Sequence, residues 1–414
     1  MSNEYKNNHY VPMWYQKRFL PPGQKDQELY YLDLKPGVFI DSRVISHPQK
    51  AVRRLGFRYC FSEKDLYTVR FGANESTEIE KHFFGKVDYN GRRAVDYYAN
   101  FSYPLDGTDR FHEMMMYIST QKLRTPKGLG WLSEQVSTSE RNQILSLMLR
   151  LQQLYCAIWT ECIWLIADAS QSETKFIVSD HPVTVYNRRC GPRSQWCRGY
   201  NDPDIRFHAT HTLFPLSLNR ILILTNLSWV RNPYQSETAM RPNPNFFRST
   251  IFKVTDIQTL RYLSEKEVQE INFIIKNRAM RYIGAAKEEW LYPEKYVTKS
   301  DWYRYGHGYL LMPDPRSVTY STEIIIGHQN GTATGFDEYG RRPWQEGYSG
   351  KDHRVRDDWN TFHRFQGEFA RLFGPYRRGR AFNAMKLDNE RDDDEFHQYH
   401  LDLEKKFSKR LEKK

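Results

Sequence analysis

The chain has 414 residues, of which 39% are hydrophobic and 15% aromatic, so it is long enough for two domains with a sizeable core. Its five cysteines are an odd and sparse set, which argues against a disulfide framework, and the absence of a CxxC pair argues against a structural zinc site of the usual spacing. The net charge of +11 favours a polyanionic partner such as RNA or DNA, with ordinary basic solubility as the alternative.

Membrane-directing segments are not apparent in the sequence. The first residues contain no apolar stretch of the kind found in signal peptides. The most apolar run, residues 154–167, is interrupted by Glu161 and is too short to span a bilayer. We therefore expect a cytoplasmic protein without a membrane partner.

The N-terminal part of the chain predicts short strands followed by helices. Residues 9–20 predict an extended segment and then a short helix, with Pro12 suited to the first helical position. Apolar runs punctuated by Gly and Pro predict strands at residues 28–32, 37–40 and 59–61. Helical spacing predicts helices at residues 77–84, 92–98 and 109–123. The last should end before Pro126, because proline disfavours a helical conformation in the preceding residue.

The middle of the chain predicts its longest helix at residues 139–167, because apolar residues recur there at helical spacing. Four strands are predicted after it, at residues 175–178, 184–186, 213–216 and 220–224. A polar loop is expected at residues 187–207. A further helix should begin at Ser264, which forms a capping box with Glu267.

These elements together predict an α+β fold, in which a mixed or antiparallel sheet packs against several helices. We expect a core domain over residues 1–285. Residues 286–414 differ in composition, with several Gly and Trp residues and then a strongly charged segment, and they predict a C-terminal extension that ends in a charged helical tail.

Two short motifs carry most of the functional information. One is His9-Tyr10-Val11-Pro12 and the other is Ser179-Asp180-His181-Pro182. Each places titratable side chains beside a proline that stiffens the backbone, and rigid backbone at the end of an element is where sites are often built. Further polar positions lie in a fixed order around them: Arg18, Glu80, Asp88, Gln121, Arg124 and Asn272.

In this order the motifs resemble an uncharacterised, mainly bacterial family known as domain of unknown function 4238, over roughly residues 8–285. The family more often has asparagine where this chain has His181. The resemblance implies no established activity. The wide occurrence of the family among bacteria suggests a role in defence or a toxin-like role.

Each of the two motifs contains one candidate functional side chain, for which a purely structural role is the alternative. Asp180 follows an apolar strand, so it is a candidate metal ligand or general base, or else an acceptor of backbone N–H bonds in an Asx-type turn. His9 has an ordinary pKa close to neutrality and is a candidate acid, base or metal ligand. Its alternative is a partly buried ring bonded to a backbone carbonyl.

Helical spacing groups the remaining candidates. Glu80 and Asp88 are slightly over two turns apart and share a helix face if the tract stays helical, with solvated surface charge as the alternative. Gln121 and Arg124 also share a face. Arg124 is expected either to bind phosphate or to form a buried ion pair with Asp180 or Glu80.

The leading hypothesis is a nucleic-acid-directed enzyme, a metal-assisted nuclease. The candidate catalytic residues are His9, Glu80, Gln121, Arg124 and Asp180, with Glu80 and Asp180 holding Mg or Mn, and with Arg18, Arg124 and His181 binding substrate. A non-catalytic nucleic-acid or partner-binding sensor is the alternative. An enzyme acting on a nucleotide or a small phosphorylated ligand is the third hypothesis.

Overall fold

The computed structural model describes eleven stretches of the chain, residues 7–40, 46–71, 74–101, 107–248, 257–306, 309, 311–318, 323–348, 354–375, 380–381 and 392–411. Within them it is an α+β protein, as the sequence predicts. Residues 412–414, the end of the predicted charged helical tail, lie outside the described residues.

The α-helices are, in chain order, α1 Met13–Gln16, α2 Gly85–Ala99, α3 Gly107–Arg124, α4 Pro126–Val136, α5 Arg141–Arg150, α6 Cys156–Glu161, α7 Leu227–Arg231, α8 Glu265–Arg278, α9 Arg354–Phe373 and α10 Asp392–Leu411. A π-helix, Ile79–Phe84, leads directly into α2. Within the described part of the chain, every helix is too short or too polar to cross a lipid bilayer.

The strands are, in chain order, β1 Asn7–His9, β2 Glu28–Asp33, β3 Val38–Ile40, β4 Ser46–Pro48, β5 Val52–Gly56, β6 Ser62–Lys64, β7 Val69–Phe71, β8 Asn74–Ser76, β9 Ile163–Asp168, β10 Val178–Ser179, β11 Thr184–Asn187, β12 Thr210–Pro215, β13 Arg220–Thr225, β14 Gln258–Tyr262, β15 Tyr282–Ala285, β16 Ile324–Gly327, β17 Ala333–Phe336 and β18 Arg380–Ala381.

Two sheets carry most of the architecture. The larger has the order β11-β12-β13-β9-β14-β18 and is antiparallel except for the parallel pair β14 and β9. The smaller has the order β10-β15-β2-β5 and is antiparallel throughout. Strands β1 and β6 pair separately and carry the first motif. The prediction of mixed or antiparallel sheets is confirmed.

The predicted long helix over residues 139–167 is wrong. The structure has the two helices α5 and α6 there, followed by strand β9, in which every residue is buried. A continuous apolar run such as Ile163–Ala167 satisfies helical spacing and strand patterning equally, so periodicity alone does not decide between them. Its position in the centre of the larger sheet decides in favour of a strand.

Local capping signals predicted other boundaries correctly. Helix α3 ends before Pro126, and the hydroxyl of Thr125 accepts a hydrogen bond from the Gly128 N–H at 3.2 Å to cap α4. The capping box of Ser264 and Glu267 is present at the start of α8. The strand predicted at residues 59–61 is wrong, because a 3₁₀ turn occupies residues 57–59.

Residues beyond 285 pack directly on the preceding part of the chain. Trp302 and Tyr305 belong to the main hydrophobic core, and the hydroxyl of Tyr186 donates to the Trp302 carbonyl at 2.9 Å. A second cluster of buried side chains joins α9, through Phe365 and Phe369, to α7.

Candidate functional site

Two clefts flank the C-terminal end of α3. The Glu80 cleft has a volume of about 590 Å³ and is lined by His9, Pro12, Met13, Trp14, Lys17, Arg18, Glu80, Asp88, Arg92 and Asp96. The Lys122 cleft has a volume of about 950 Å³, and its polar floor is formed by Lys122, Lys127, His181 and Asp202. Side chains two positions apart on a helix point about 200° away from each other, so Lys122 and Arg124 face different clefts.

The first motif holds His9 at the edge of the Glu80 cleft. His9 ends strand β1, and the next two residues, Tyr10 and Val11, are buried. The side-chain amide of Gln16 donates to the Val11 carbonyl at 2.8 Å, and that of Gln121 donates to the Tyr10 carbonyl at 2.8 Å. The backbone after His9 is therefore fixed by two buried side chains.

The ring of His9 is neutral near pH 7. Burial lowers its pKa, and this outweighs hydrogen bonds to the backbone carbonyls of Arg58 and Phe57, which act in the opposite direction. Nε2 lies 3.2 Å from the Arg58 carbonyl oxygen, which only accepts hydrogen bonds. Nε2 therefore carries the proton in the neutral ring, and Nδ1 is the nitrogen that can accept one.

Glu80 has an unusual carboxyl group. Its Oε2 atom is buried and accepts no hydrogen bond from any residue that the structure describes. Burial raises the pKa of Glu80 to about 7; Asp88 adds to the rise and Arg124 opposes it. Glu80 therefore holds a proton about half of the time at neutral pH, which is the condition that suits an acid–base catalyst.

Arg124 lies behind this cleft and does not line it. Its guanidinium is 1% exposed, pairs with Asp88 at 2.8 Å and lies over the Phe84 ring, 5.1 Å from the ring centroid. Its Nε donates to Gln121 Oε1 at 2.7 Å. Gln121 thus connects Arg124 to the first motif. Arg124 forms a buried ion pair, as one of its two predicted roles required, but the partner is Asp88 and not the predicted Asp180 or Glu80.

Arg18 lines the cleft beside these residues. Its Nε donates to the Leu216 carbonyl at 2.5 Å, and its guanidinium pairs with Asp96. The side chain is 17% exposed, so one face stays accessible from the cleft.

Asp180 lies at the end of strand β10, as predicted, but it lines neither cleft. Its two carboxyl oxygens accept the backbone N–H groups of Met280, Arg281 and Tyr282 at 2.9, 2.6 and 2.8 Å. Burial raises the pKa of Asp180, and these three donors oppose the rise. The carboxylate links β10 to the start of β15. It accepts backbone N–H groups, as the structural alternative required, but the donors lie on a distant segment and not in the predicted Asx-type turn.

His181 belongs to the floor of the Lys122 cleft. Its Nδ1 lies 2.7 Å from the Thr125 hydroxyl, and its Nε2 lies 3.2 Å from Lys122 Nζ and 3.1 Å from Asp202 Oδ2. Burial, with a further contribution from Lys122, lowers the pKa of His181 to about 3, so the ring is neutral.

Sequence reasoning missed the lysines and the aspartate of this floor. Lys122 and Lys127 each approach one oxygen of Asp202 at 2.6 Å, and all three side chains are at most 8% exposed. The segment around Pro126 also contains Gln121 and Arg124, so the two lysines do not stand out in the sequence. No local signal connects them to Asp202, which lies 80 residues after Lys122.

The predicted candidates therefore separate into groups. The structure brings His9, Arg18 and Glu80 to one cleft, with Gln121 and Arg124 behind it, and places His181 at the other cleft. It does not bring Asp180 to Glu80. In the part of the chain that the structure describes, no three His, Cys, Asp or Glu side chains lie together in a way that would hold a metal ion.

Comparison with known families gives one match. Residues 92–289, just under half of the chain, match the model of a family described as a protein of unknown function (DUF4238), the family that the sequence motifs resemble. The matched segment contains the second motif and the floor of the Lys122 cleft, whereas His9 and Glu80 precede it. No curated protein and no solved structure matches the chain.

Proposed function

We propose that the protein is a nuclease and that the Glu80 cleft is its active site. One observation carries the proposal: a buried carboxyl group with a pKa of about 7 and a neutral histidine line the same cleft. Phosphodiester cleavage requires one group that removes a proton from the nucleophile and one that donates a proton to the leaving oxygen.

The directions of the two pKa shifts assign these roles. His9, with its lowered pKa, is the base: it takes a proton from an attacking water or ribose hydroxyl as the oxygen forms a bond to phosphorus. Glu80, with its raised pKa, is the acid: it gives its proton to the leaving oxygen as the old phosphorus–oxygen bond breaks. Both groups then return to their starting states by proton exchange with water.

The surroundings of the cleft suit a nucleic-acid strand. Lys17 and Arg92 are exposed at its rim and Arg18 is part-buried inside it, so cations are available for phosphate groups. Trp14 lines the same cleft and presents a surface on which a base can stack. The excess of basic residues over the whole chain acts in the same direction.

A divalent ion held by Glu80 and Asp180 stays a prediction from the sequence. Both oxygens of Asp180 already accept backbone N–H groups, so the described residues do not form a fitting ligand pair. The proton transfers assigned to His9 and Glu80 do not depend on an ion.

The experiment is a cleavage assay with labelled single-stranded and double-stranded RNA and DNA, in magnesium, in manganese and in EDTA. Glu80→Gln should lower the cleavage rate by roughly a hundredfold or more, because the amide has no proton to donate. Glu78→Gln is the matched control, since Glu78 is 66% exposed two residues earlier in the chain, and it should cleave like the wild type.

Cleavage that persists in EDTA and is lost in folded Glu80→Gln would support the proposal. Cleavage that Glu80→Gln retains in full would overturn it. An absence of cleavage by the wild type, with salt-sensitive retention of nucleic acid, would also overturn it and favour the non-catalytic binding module.

A further inference from the structure

The floor of the Lys122 cleft carries more positive than negative charge. The amino groups of Lys122 and Lys127 share a single carboxylate, Asp202. Arg278 lies next to them and donates to the Val185 carbonyl, the Cys190 carbonyl and the Cys197 sulfur instead of to a carboxylate. At the floor, Lys122 and Lys127 therefore share one anion, and Arg278 behind them is a further buried cation. Asp204 and Arg206, which also line the cleft, pair with each other.

The neighbouring cations act on the pKa of Lys122. Burial lowers the pKa of Lys122, and Lys127 and Arg278 lower it further, whereas Asp202 acts in the opposite direction. Buried charges of one sign are costly unless they are paired. A second anion at this floor would reduce that cost.

One donor at the floor is free to meet such an anion. Lys127 Nζ donates to Asp202 Oδ1 at 2.6 Å and to the Arg278 carbonyl at 2.9 Å. An ammonium group has three N–H donors, and the third has no acceptor among the residues that the structure describes. Lys122, in contrast, already contacts Asp202, His181 and the Val183 carbonyl.

The walls above the floor are aromatic. Trp131, Tyr155, Trp196 and Phe246 line the cleft, and the side chain of Trp196 at its mouth is 39% exposed. Flat side chains that converge on an open space are suited to stack on a flat ring. The volume of about 950 Å³ lies within the range of sites for small organic ligands.

We propose that the Lys122 cleft binds a nucleoside monophosphate, with the base between the aromatic walls and the phosphate at Lys127. A nucleoside monophosphate has a flat ring, which suits the aromatic walls, and a compact anion, which suits the free N–H donor of Lys127. The site is separate from the Glu80 cleft and does not rest on the nuclease activity proposed there.

The test is a titration of the full-length protein, followed by tryptophan fluorescence and by calorimetry. Adenosine monophosphate, adenosine, ribose 5-phosphate and inorganic phosphate are the probes. We expect the monophosphate to bind at least tenfold more tightly than any of the other three probes, since each of them lacks either the base or the phosphate. Equal affinity for adenosine and its monophosphate would overturn the role of the floor, and so would an absence of binding by every probe.

Two variants locate the site. Lys127→Met should weaken binding of the monophosphate by roughly tenfold or more while leaving binding of adenosine unchanged. Trp196→Ala is a rim variant that leaves the buried floor intact, and it should weaken binding of both. The control is Trp344→Ala, which removes a tryptophan that is 78% exposed and does not line the cleft. Unchanged affinity in folded Trp196→Ala would overturn the proposed site.

Discussion

The two clefts at the end of α3 place ionisable groups in opposite electrostatic situations. The Glu80 cleft buries a carboxyl group with one oxygen that accepts no hydrogen bond from the described residues, whereas the Lys122 cleft buries two lysines that share one carboxylate. In the first, burial favours the neutral acid and creates a proton donor. In the second, the excess positive charge of the two lysines favours the binding of an anion. Incomplete pairing of buried charged groups is thus a feature that the two clefts share.

The buried carboxylate of Asp180 differs from these groups, because both of its oxygens accept hydrogen bonds. It is as deeply buried as the clefts' own charged groups, yet three backbone N–H groups meet its two oxygens. These donors occupy three of the roughly four lone-pair positions of the carboxylate, so Asp180 contributes to stability and has little capacity left for a ligand. Burial of a charged residue therefore indicates a functional site only when its partners leave it partly unsatisfied.

The largest effect should come from Asp202→Asn, which removes the carboxylate that Lys122 and Lys127 share. Leaving two buried ammonium groups without a counterion should lower the free energy of unfolding by roughly 3–5 kcal/mol. Urea unfolding at pH 7 measures this. Asp204→Asn is the control, because its part-exposed pair with Arg206 should contribute only about 0–1 kcal/mol. Similar losses in both variants would contradict the account.

Asp180→Asn should lower the free energy of unfolding by roughly 2–4 kcal/mol, since an amide nitrogen would face backbone N–H groups that need an acceptor. The cleavage rate per folded molecule should stay unchanged, because Asp180 does not line the Glu80 cleft. Thermal or urea unfolding, together with the cleavage assay, checks both parts. A stable variant that has lost cleavage would place Asp180 in the active site after all.

Glu80→Gln should make stability less dependent on pH. The pKa of Glu80 is about 7 in the folded protein and 4.5 ordinarily, so between these values the folded state holds a proton that the unfolded state has released. Wild-type stability therefore falls as pH rises through this window. The variant should be more stable than the wild type by roughly 1–3 kcal/mol above pH 7 and equal to it below about pH 4.5. A stability difference between the variant and the wild type that does not change with pH would contradict the raised pKa of Glu80.

The smallest effect is expected for Lys17→Met at the rim of the Glu80 cleft. Loss of one phosphate contact should weaken nucleic-acid binding a few-fold and lower the slope of log affinity against log salt by about 1. Filter binding over a series of salt concentrations measures the slope. Lys35→Met is the control, because Lys35 is exposed and lies outside both clefts, and it should leave the slope unchanged.

Local signals in the sequence predicted the ends of several helices. Long-range contacts, which the sequence does not reveal, determined strand β9 and the composition of the two clefts. The cap at Ser264 and the break before Pro126 act over a few residues, so both were predictable. Strand β9 was missed because its apolar run has no distinguishing period. The residue types of the Glu80 cleft were predicted, but Asp180 was grouped with them because the sequence gives no indication that Met280 and its neighbours occupy its oxygens.

The pH dependence of the cleavage rate tests the central claim most directly. The base must be deprotonated and the acid protonated, so the rate should rise with pH through the pKa of His9, below 6.5, and fall above the pKa of Glu80, near 7. We expect a bell-shaped profile in the wild type. In Glu80→Gln the residual rate should lack the descending limb. A descending limb near pH 7 that persists in Glu80→Gln would show that another group donates the proton and would contradict the assignment.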